Sequence, residues 1–204
     1  MIKGILFDFD GVLTLDANGT QSICNYVCLK SDVDKNIFER EYRKYNAELS
    51  IGKLTHEAIW DDICRAIGQD ISIEILYDSF VNTPINSGMI ALANKLKDSN
   101  FKIGMVTDNK ADRMKSIIEY HKWHSFFDGI VVSADVGSKK DQEEIFLKAY
   151  ELLELRPEEC VFIDNSRENL IAPSSLGTNV IFFDHNENDL TRLKKELLEL
   201  GVRV

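Results

Sequence analysis

Five short apolar runs punctuate the chain, and most of them stop at a polar residue or a turn. Residues 4–9, 102–106, 129–132, 160–163 and 180–183 are rich in Ile, Val and Phe and too short for buried helices. That pattern predicts strands of a parallel sheet buried on both faces, with Asp8 near the C-terminal end of the first. Between them, helical patterns run over residues 89–96, 111–120, 143–153, 167–176 and 190–200. Strands alternating with helices call for an α/β fold: a parallel core of five main strands with helices on both faces.

The stretch between about Leu15 and Pro84 breaks the alternation. It holds no convincing strand, yet Ile59, Ile63 and Ile67, and Phe38, Tyr42 and Tyr45, fall at helical spacing. Thr55 precedes one of these helices and can cap it. The expected organisation is therefore an α/β core formed by residues 1–14 and 85–204, with residues 15–84 inserted as a small all-helical segment. The last helix carries Leu190, Leu193, Leu197 and Leu200. Fewer than three heptads are present, so this stripe is expected to pack on the chain's own sheet rather than on a partner helix.

With 204 residues, 44% of them apolar, the chain can bury a sizeable core, and 3 Pro and 11 Gly exclude low-complexity or collagen-like structure. The net charge of −10, without any basic run, repels phosphate backbones and anionic lipid, so neither nucleic acid nor a membrane is expected as a partner. No stretch approaches the length of a membrane helix, and the first acid, Asp8, arrives before a signal-peptide apolar region could form. Cys24, Cys28, Cys64 and Cys160 lack the spacing of a metal knuckle or a CxxC pair and read as small apolar residues of a protein in a reducing cytosol. A cytoplasmic monomer is the expectation.

In an open parallel sheet the ligand crevice lies at the C-terminal ends of the strands. Four of the five predicted ends carry polar residues: Asp8-Phe9-Asp10-Gly11-Val12, Thr107-Asp108-Asn109, the stretch Ser133 to Lys140, and Asp164-Asn165-Ser166. Carboxylates converging without compensation would repel one another and take up protons. A divalent cation and a lysine relieve that repulsion, which predicts a Mg²⁺ site with Lys140 or Lys139 beside it.

These residues resemble the motifs of the haloacid dehalogenase superfamily, in the branch with a helical cap inserted after the first motif. Asp8 to Thr14 matches the first motif, Thr107 the second, Lys140 the third and Asp164 the fourth, so the likeness spans nearly the whole chain. The resemblance implies a Rossmann-like core and a set of roles. Asp8 would be the nucleophile that becomes an aspartyl-phosphate. Asp10 would protonate the leaving oxygen and then activate water. Asp8, Asp164 and the backbone carbonyl of Asp10 would hold Mg²⁺. Thr107 and Lys140, with backbone N–H groups near Asp108, would bind the transferring phosphoryl group. Asp10 also favours phosphate over halide chemistry, because a departing halide needs no proton and an ester oxygen does.

The implied activity is a Mg²⁺-dependent phosphatase for a small phosphorylated metabolite, of the sugar phosphate or nucleoside monophosphate class. The alternatives are a phosphomutase of the same superfamily or a catalytically weak binding protein. Three positions depart from the family pattern. Asn165 stands where a second acid is common, and is expected to lower the charge around the metal. Asp141 follows Lys140 in place of proline, and is expected to compete for it. Pro173 is expected to bend or shorten the helix after the fourth motif. In the inserted segment, Gly52 permits a tight turn and Lys53 is a candidate contact to substrate. His121 and His124 lack companions and predict no metal site.

Overall fold

A computed structural model describes residues 1–203. Five strands form one fully parallel sheet in the order β3-β2-β1-β4-β5: β1 (Gly4–Phe7), β2 (Lys102–Thr107), β3 (Gly129–Val132), β4 (Cys160–Asp164) and β5 (Asn179–Phe182). The side-chain period of two along β1 explains its composition. Ile5 and Phe7 enter one apolar cluster and Leu6 the other, and all three are fully or almost fully buried. At about 25 cal/mol per Å² of apolar surface, each such residue contributes roughly 2 kcal/mol of transfer free energy.

Helices cover both faces. One is packed by α6 (Ser87–Asp98), α7 (Ala111–His121) and α11 (Leu190–Glu199), the other by α9 (Glu144–Leu153) and α10 (Ile171–Ser175). A single turn, α8 (Ser133–Val136), follows β3. Leu193 and Leu197 of α11 are buried, and Leu190 and Leu200 pack beside them, so the leucine stripe faces the chain's own core. The pattern over residues 167–176 forms no single helix. A 3-10 turn (Glu168–Leu170) precedes α10, with Pro173, which has no N–H to give, inside the second piece.

The segment after β1 departs further from expectation. The strand ends at Phe7, and Phe9–Leu13 coils into a wide helical turn, interrupted at Asp10 and at Gly11, whose φ of +82° is a left-handed conformation that glycine adopts without strain. Five helices follow: α1 (Gly19–Ser31), α2 (Lys35–Arg43), α3 (Asn46–Ser50), α4 (His56–Ile67) and α5 (Ile73–Val81). The chain leaves and re-enters the core at one place. Thr14 and Ile85 form an antiparallel bridge, and the Leu15 N–H donates to the Pro84 carbonyl at 2.9 Å. Thr55 caps α4 by accepting from the Ala58 N–H. Phe38, Tyr42, Trp60 and Phe80 fill the interior of the helical segment, continuous with the apolar cluster on one sheet face.

One hydrogen-bonded set ties the helical segment to α7. His56 is fully buried; its Nδ1 lies 2.8 Å from both Asp112 carboxylate oxygens and its Nε2 lies 2.6 Å from the Tyr42 hydroxyl. The His56 backbone N–H also donates to Asp112. All four thiols are free, and burial pushes those of Cys24 and Cys160 up to about 12. Among the described residues no helix is long and apolar enough to cross a membrane.

Candidate active site

The C-terminal ends of β1, β2 and β4 open onto one cavity of about 230 Å³, floored by Asp8, Asp10, Thr107, Asp108, Lys140 and Asn165 and roofed by the start of α1. Parallel pairing sets this convergence. Phe7 is in register with Met105 of β2 and Ile163 of β4, so the next residues along the three strands emerge side by side.

Lys140 is the electrostatic centre. It is 2% exposed, and its Nζ lies 2.7 Å from Asp8 Oδ1 and 2.7 Å from Asp164 Oδ2. Burial opposes the ammonium charge, but the two carboxylates outweigh it and raise the lysine pKa. Lys139 is exposed, so the register of the third motif falls on Lys140. The Lys140 backbone N–H donates to the Asp108 carboxylate at 2.9 Å, which fixes the loop after α8 against the end of β2.

Burial pushes the Asp8 carboxyl well above the usual carboxylate range, Lys140 pulls it down, and Asp164 adds to the rise. Asp8 Oδ1 accepts from the Phe9 N–H at 2.7 Å, whereas Oδ2 accepts no hydrogen bond among the described residues. Asp164 is fully occupied by comparison. Its oxygens accept from the Ser166 N–H, from Asn169 Nδ2 and from Lys140. A hard cation takes oxygen ligands. An unbonded Asp8 oxygen facing a polar cavity, beside a second carboxylate that shares the same ammonium, fits such a cation. Asp164, expected as a second metal ligand, is fully buried and does not line the cavity, so of the two carboxylates on Lys140 only Asp8 faces it. Among the described residues no cluster of three or more His, Cys, Asp or Glu side chains is placed to hold a metal.

Asp10 takes a different course from its neighbour. Its side chain turns into a buried fork from Arg113, with Nη1 2.7 Å from Oδ2 and Nη2 2.9 Å from Oδ1, and Asn109 Nδ2 donates to Oδ2 at 2.8 Å. Any part of Asp10 in a metal site would therefore be through its backbone. Lys110 lines the cavity at 6% exposure, and burial, with Arg113 nearby, lowers its pKa to about 8.

Two expectations fail on geometry, and Asn165 has a partner that the sequence does not show. Lys53 is exposed and does not line the cavity; the turn beneath it, with Gly52 at φ +72°, packs against the Ala134 carbonyl instead. Asp141 is exposed and makes no ion pair with Lys140, whose ammonium is committed to Asp8 and Asp164. Asn165 lines the cavity, but its amide donates to the Ala17 carbonyl at 3.2 Å, so it braces the linker into α1. It does not cap the following turn, because Asp164 accepts the Ser166 N–H. His121 stacks on Trp123 at 4.7 Å, a packing role.

Lys110, Arg113 and Asn169 were not foreseen from the sequence, and Asn109 was read only as part of a polar strand end. One signal was available. Lys110 and Arg113 lie at the start of α7, where the helix dipole disfavours cations, so something negative had to be nearby.

With this geometry in view, comparisons with known proteins are specific. The family described as haloacid dehalogenase-like hydrolase matches residues 5–183. A glyceraldehyde 3-phosphate phosphatase of Methanopyrus kandleri is 25% identical over 175 residues, which cover 80% of this chain and 75% of that protein. A pyrophosphatase PpaX of Bacillus mycoides is 30% identical over 87 residues, only 43% of this chain and 40% of its own length. Among solved structures, a HAD family enzyme of Bacteroides thetaiotaomicron in complex with magnesium and inorganic phosphate superposes with a TM-score of 0.73 at 20% identity, covering 95% of this chain and 99% of that one. At that identity the likeness speaks for the fold. The match over residues 5–183 establishes that the chain belongs to the haloacid dehalogenase-like hydrolases.

Proposed function

We propose that the chain is a Mg²⁺-dependent phosphatase of small phosphorylated metabolites, working through an aspartyl-phosphate. One observation carries the reading: Asp8 offers an unbonded carboxylate oxygen to a polar cavity lined by Lys140 and Thr107, with Asp164 buried behind Lys140. The named relatives, a glyceraldehyde 3-phosphate phosphatase and a pyrophosphatase, support substrates that carry a small phosphoryl group.

The chemistry follows from the positions. A carboxylate oxygen of Asp8 attacks phosphorus and the bond to the leaving oxygen breaks, giving the aspartyl-phosphate. Asp10, two residues along, gives the leaving oxygen its proton and then takes one from the water that attacks the intermediate. Thr107 and Lys140 bind the equatorial phosphoryl oxygens, where positioning and charge supply most of the rate. Mg²⁺, held by Asp8, Asp164 and the Asp10 carbonyl, would offset charge on phosphate and carboxylates. Lys110 adds a cation at the cavity wall, consistent with an anionic substrate. Residues 15–84, joined to the core at one hydrogen-bonded crossing, act as a cap whose first helix shields the cavity from water.

The substrate is expected within the sugar phosphate or nucleoside monophosphate class. A panel of such phosphates, assayed for free phosphate with and without Mg²⁺, tests the reading. Phosphate release that depends on Mg²⁺ is the expected result; conversion to an isomer without release marks a phosphomutase, and no turnover on any member marks a binding protein.

A further inference from the structure

Arg113 is the one large cation of this site that neither the phosphoryl group nor the sheet accounts for. It is fully buried, and its Nε has no acceptor among the described residues. Taking an ion pair out of water costs about as much as the pair returns, so a buried fork with an orphaned N–H is poor evidence of a stability device. Its contacts point elsewhere. Besides the two bonds to Asp10, Nη1 donates to Asn109 Oδ1 at 2.9 Å and Nη2 to Thr83 Oγ1 at 3.2 Å, while the guanidinium rests over the Phe9 ring. Thr83 lies just before the point where the inserted segment rejoins the core. On the other side, the first turn of α1 sits directly on the fork: a Cβ built on Gly19 would stand 2.4 Å from Arg113 Nη1 and 3.0 Å from Asp10 Oδ2. One side chain thus touches Asp10 and both ends of the inserted segment.

We propose that Arg113 is a positioning residue that sets the direction of the Asp10 carboxylate and ties that direction to the seating of the cap. A planar fork fixes both carboxylate oxygens at once, which a single-point ammonium cannot do. The side chain of the residue that must reach the leaving oxygen is therefore placed from α7, through a group shared with Thr83 and with the bare backbone of Gly19. The proposal rests on the phosphatase reading, in which Asp10 serves the leaving group.

Two variants test it without removing Asp10. Arg113→Lys keeps the charge and loses the fork. Gly19→Ala keeps every polar group, suits the first turn of a helix, and pushes a methyl into the pinned guanidinium. Each is compared with wild type and with Asp10→Asn on phenyl phosphate, whose leaving oxygen needs a proton, and p-nitrophenyl phosphate, whose leaving oxygen needs little. Both variants are expected to lose about tenfold more kcat on phenyl phosphate than on p-nitrophenyl phosphate, with KM changed far less, in the pattern of Asp10→Asn. Equal losses on the two esters, or losses that simply track Tm, overturn the proposal. If Arg113→Lys folds poorly, Gly19→Ala decides alone. A failure of the underlying reading looks different: Asp10→Asn itself then treats the two esters alike.

Discussion

Single residues in this site are held by partners that a linear motif does not display. Lys140 is the clearest case. Its match to a motif position singles it out, but only the fold shows what it holds together: it is the sole ammonium touching both Asp8 and Asp164 among the described residues. Removing one partner of a buried pair leaves the others uncompensated. Lys140→Ala is expected to lower kcat by about 100-fold or more, as loss of one preorganised charge does, while Lys139→Ala leaves kcat as it is. Steady-state rates of the two variants check this. Asn165 teaches the opposite lesson. From its place after Asp164 it reads as a neutral residue that lowers the charge around the metal, yet its amide also holds the Ala17 carbonyl. Asn165→Asp would set a carboxylate against that carbonyl and leave it without a donor. The expected result is a loss of about 1 kcal/mol of stability, seen as a lower Tm, with the Mg²⁺ concentration for half-maximal turnover nearly unchanged.

Elements were legible where their cause is local. The five strands follow from apolar runs, α7 and α11 from helical spacing, and the cap of α4 from Thr55. The coil at Phe9–Leu13 was not, because its wide turn is imposed by the linker crossing, and the bend near Pro173 was legible only as a disturbance. Contacts between elements were invisible. The His56–Asp112 pair joins residues 56 positions apart, and neither carries a pattern. Burial pulls the His56 pKa below its ordinary value despite Asp112. Between the folded pKa and about 6.5 the unfolded chain therefore binds a proton that the folded chain does not, so acid favours unfolding. The stability His56 contributes is present above pH 6.5 and lost as pH falls below it. For Asp112, burial alone would raise the carboxyl, but His56 and the backbone N–H groups hold it below the usual value, which adds a loss of the same sign at lower pH. Urea midpoints between pH 7.5 and 5.5 should fall for wild type and stay flatter for His56→Gln. An equal slope in both proteins would refute the assignment.

For the whole molecule, the parallel sheet gathers the candidate site by geometry. Register alone brings the ends of three strands to one cavity, and the first turn of α1 covers it. That logic was readable from four polar strand ends in order. What the sequence could not display is how the layers are joined, because Arg113 and His56 act across elements far apart in the chain. Chelating Mg²⁺ should abolish turnover while leaving Tm little changed, since Lys140 already bridges Asp8 and Asp164 without it. The central claim is that Asp8 is the nucleophile. It is tested most directly by phosphate release from p-nitrophenyl phosphate in Mg²⁺, measured for wild type and for Asp8→Asn of equal Tm. Asn is nearly the same shape and cannot form the acyl phosphate, so the account predicts a loss on the order of 10⁴-fold or more; a variant that kept about a tenth of the wild-type rate would contradict it.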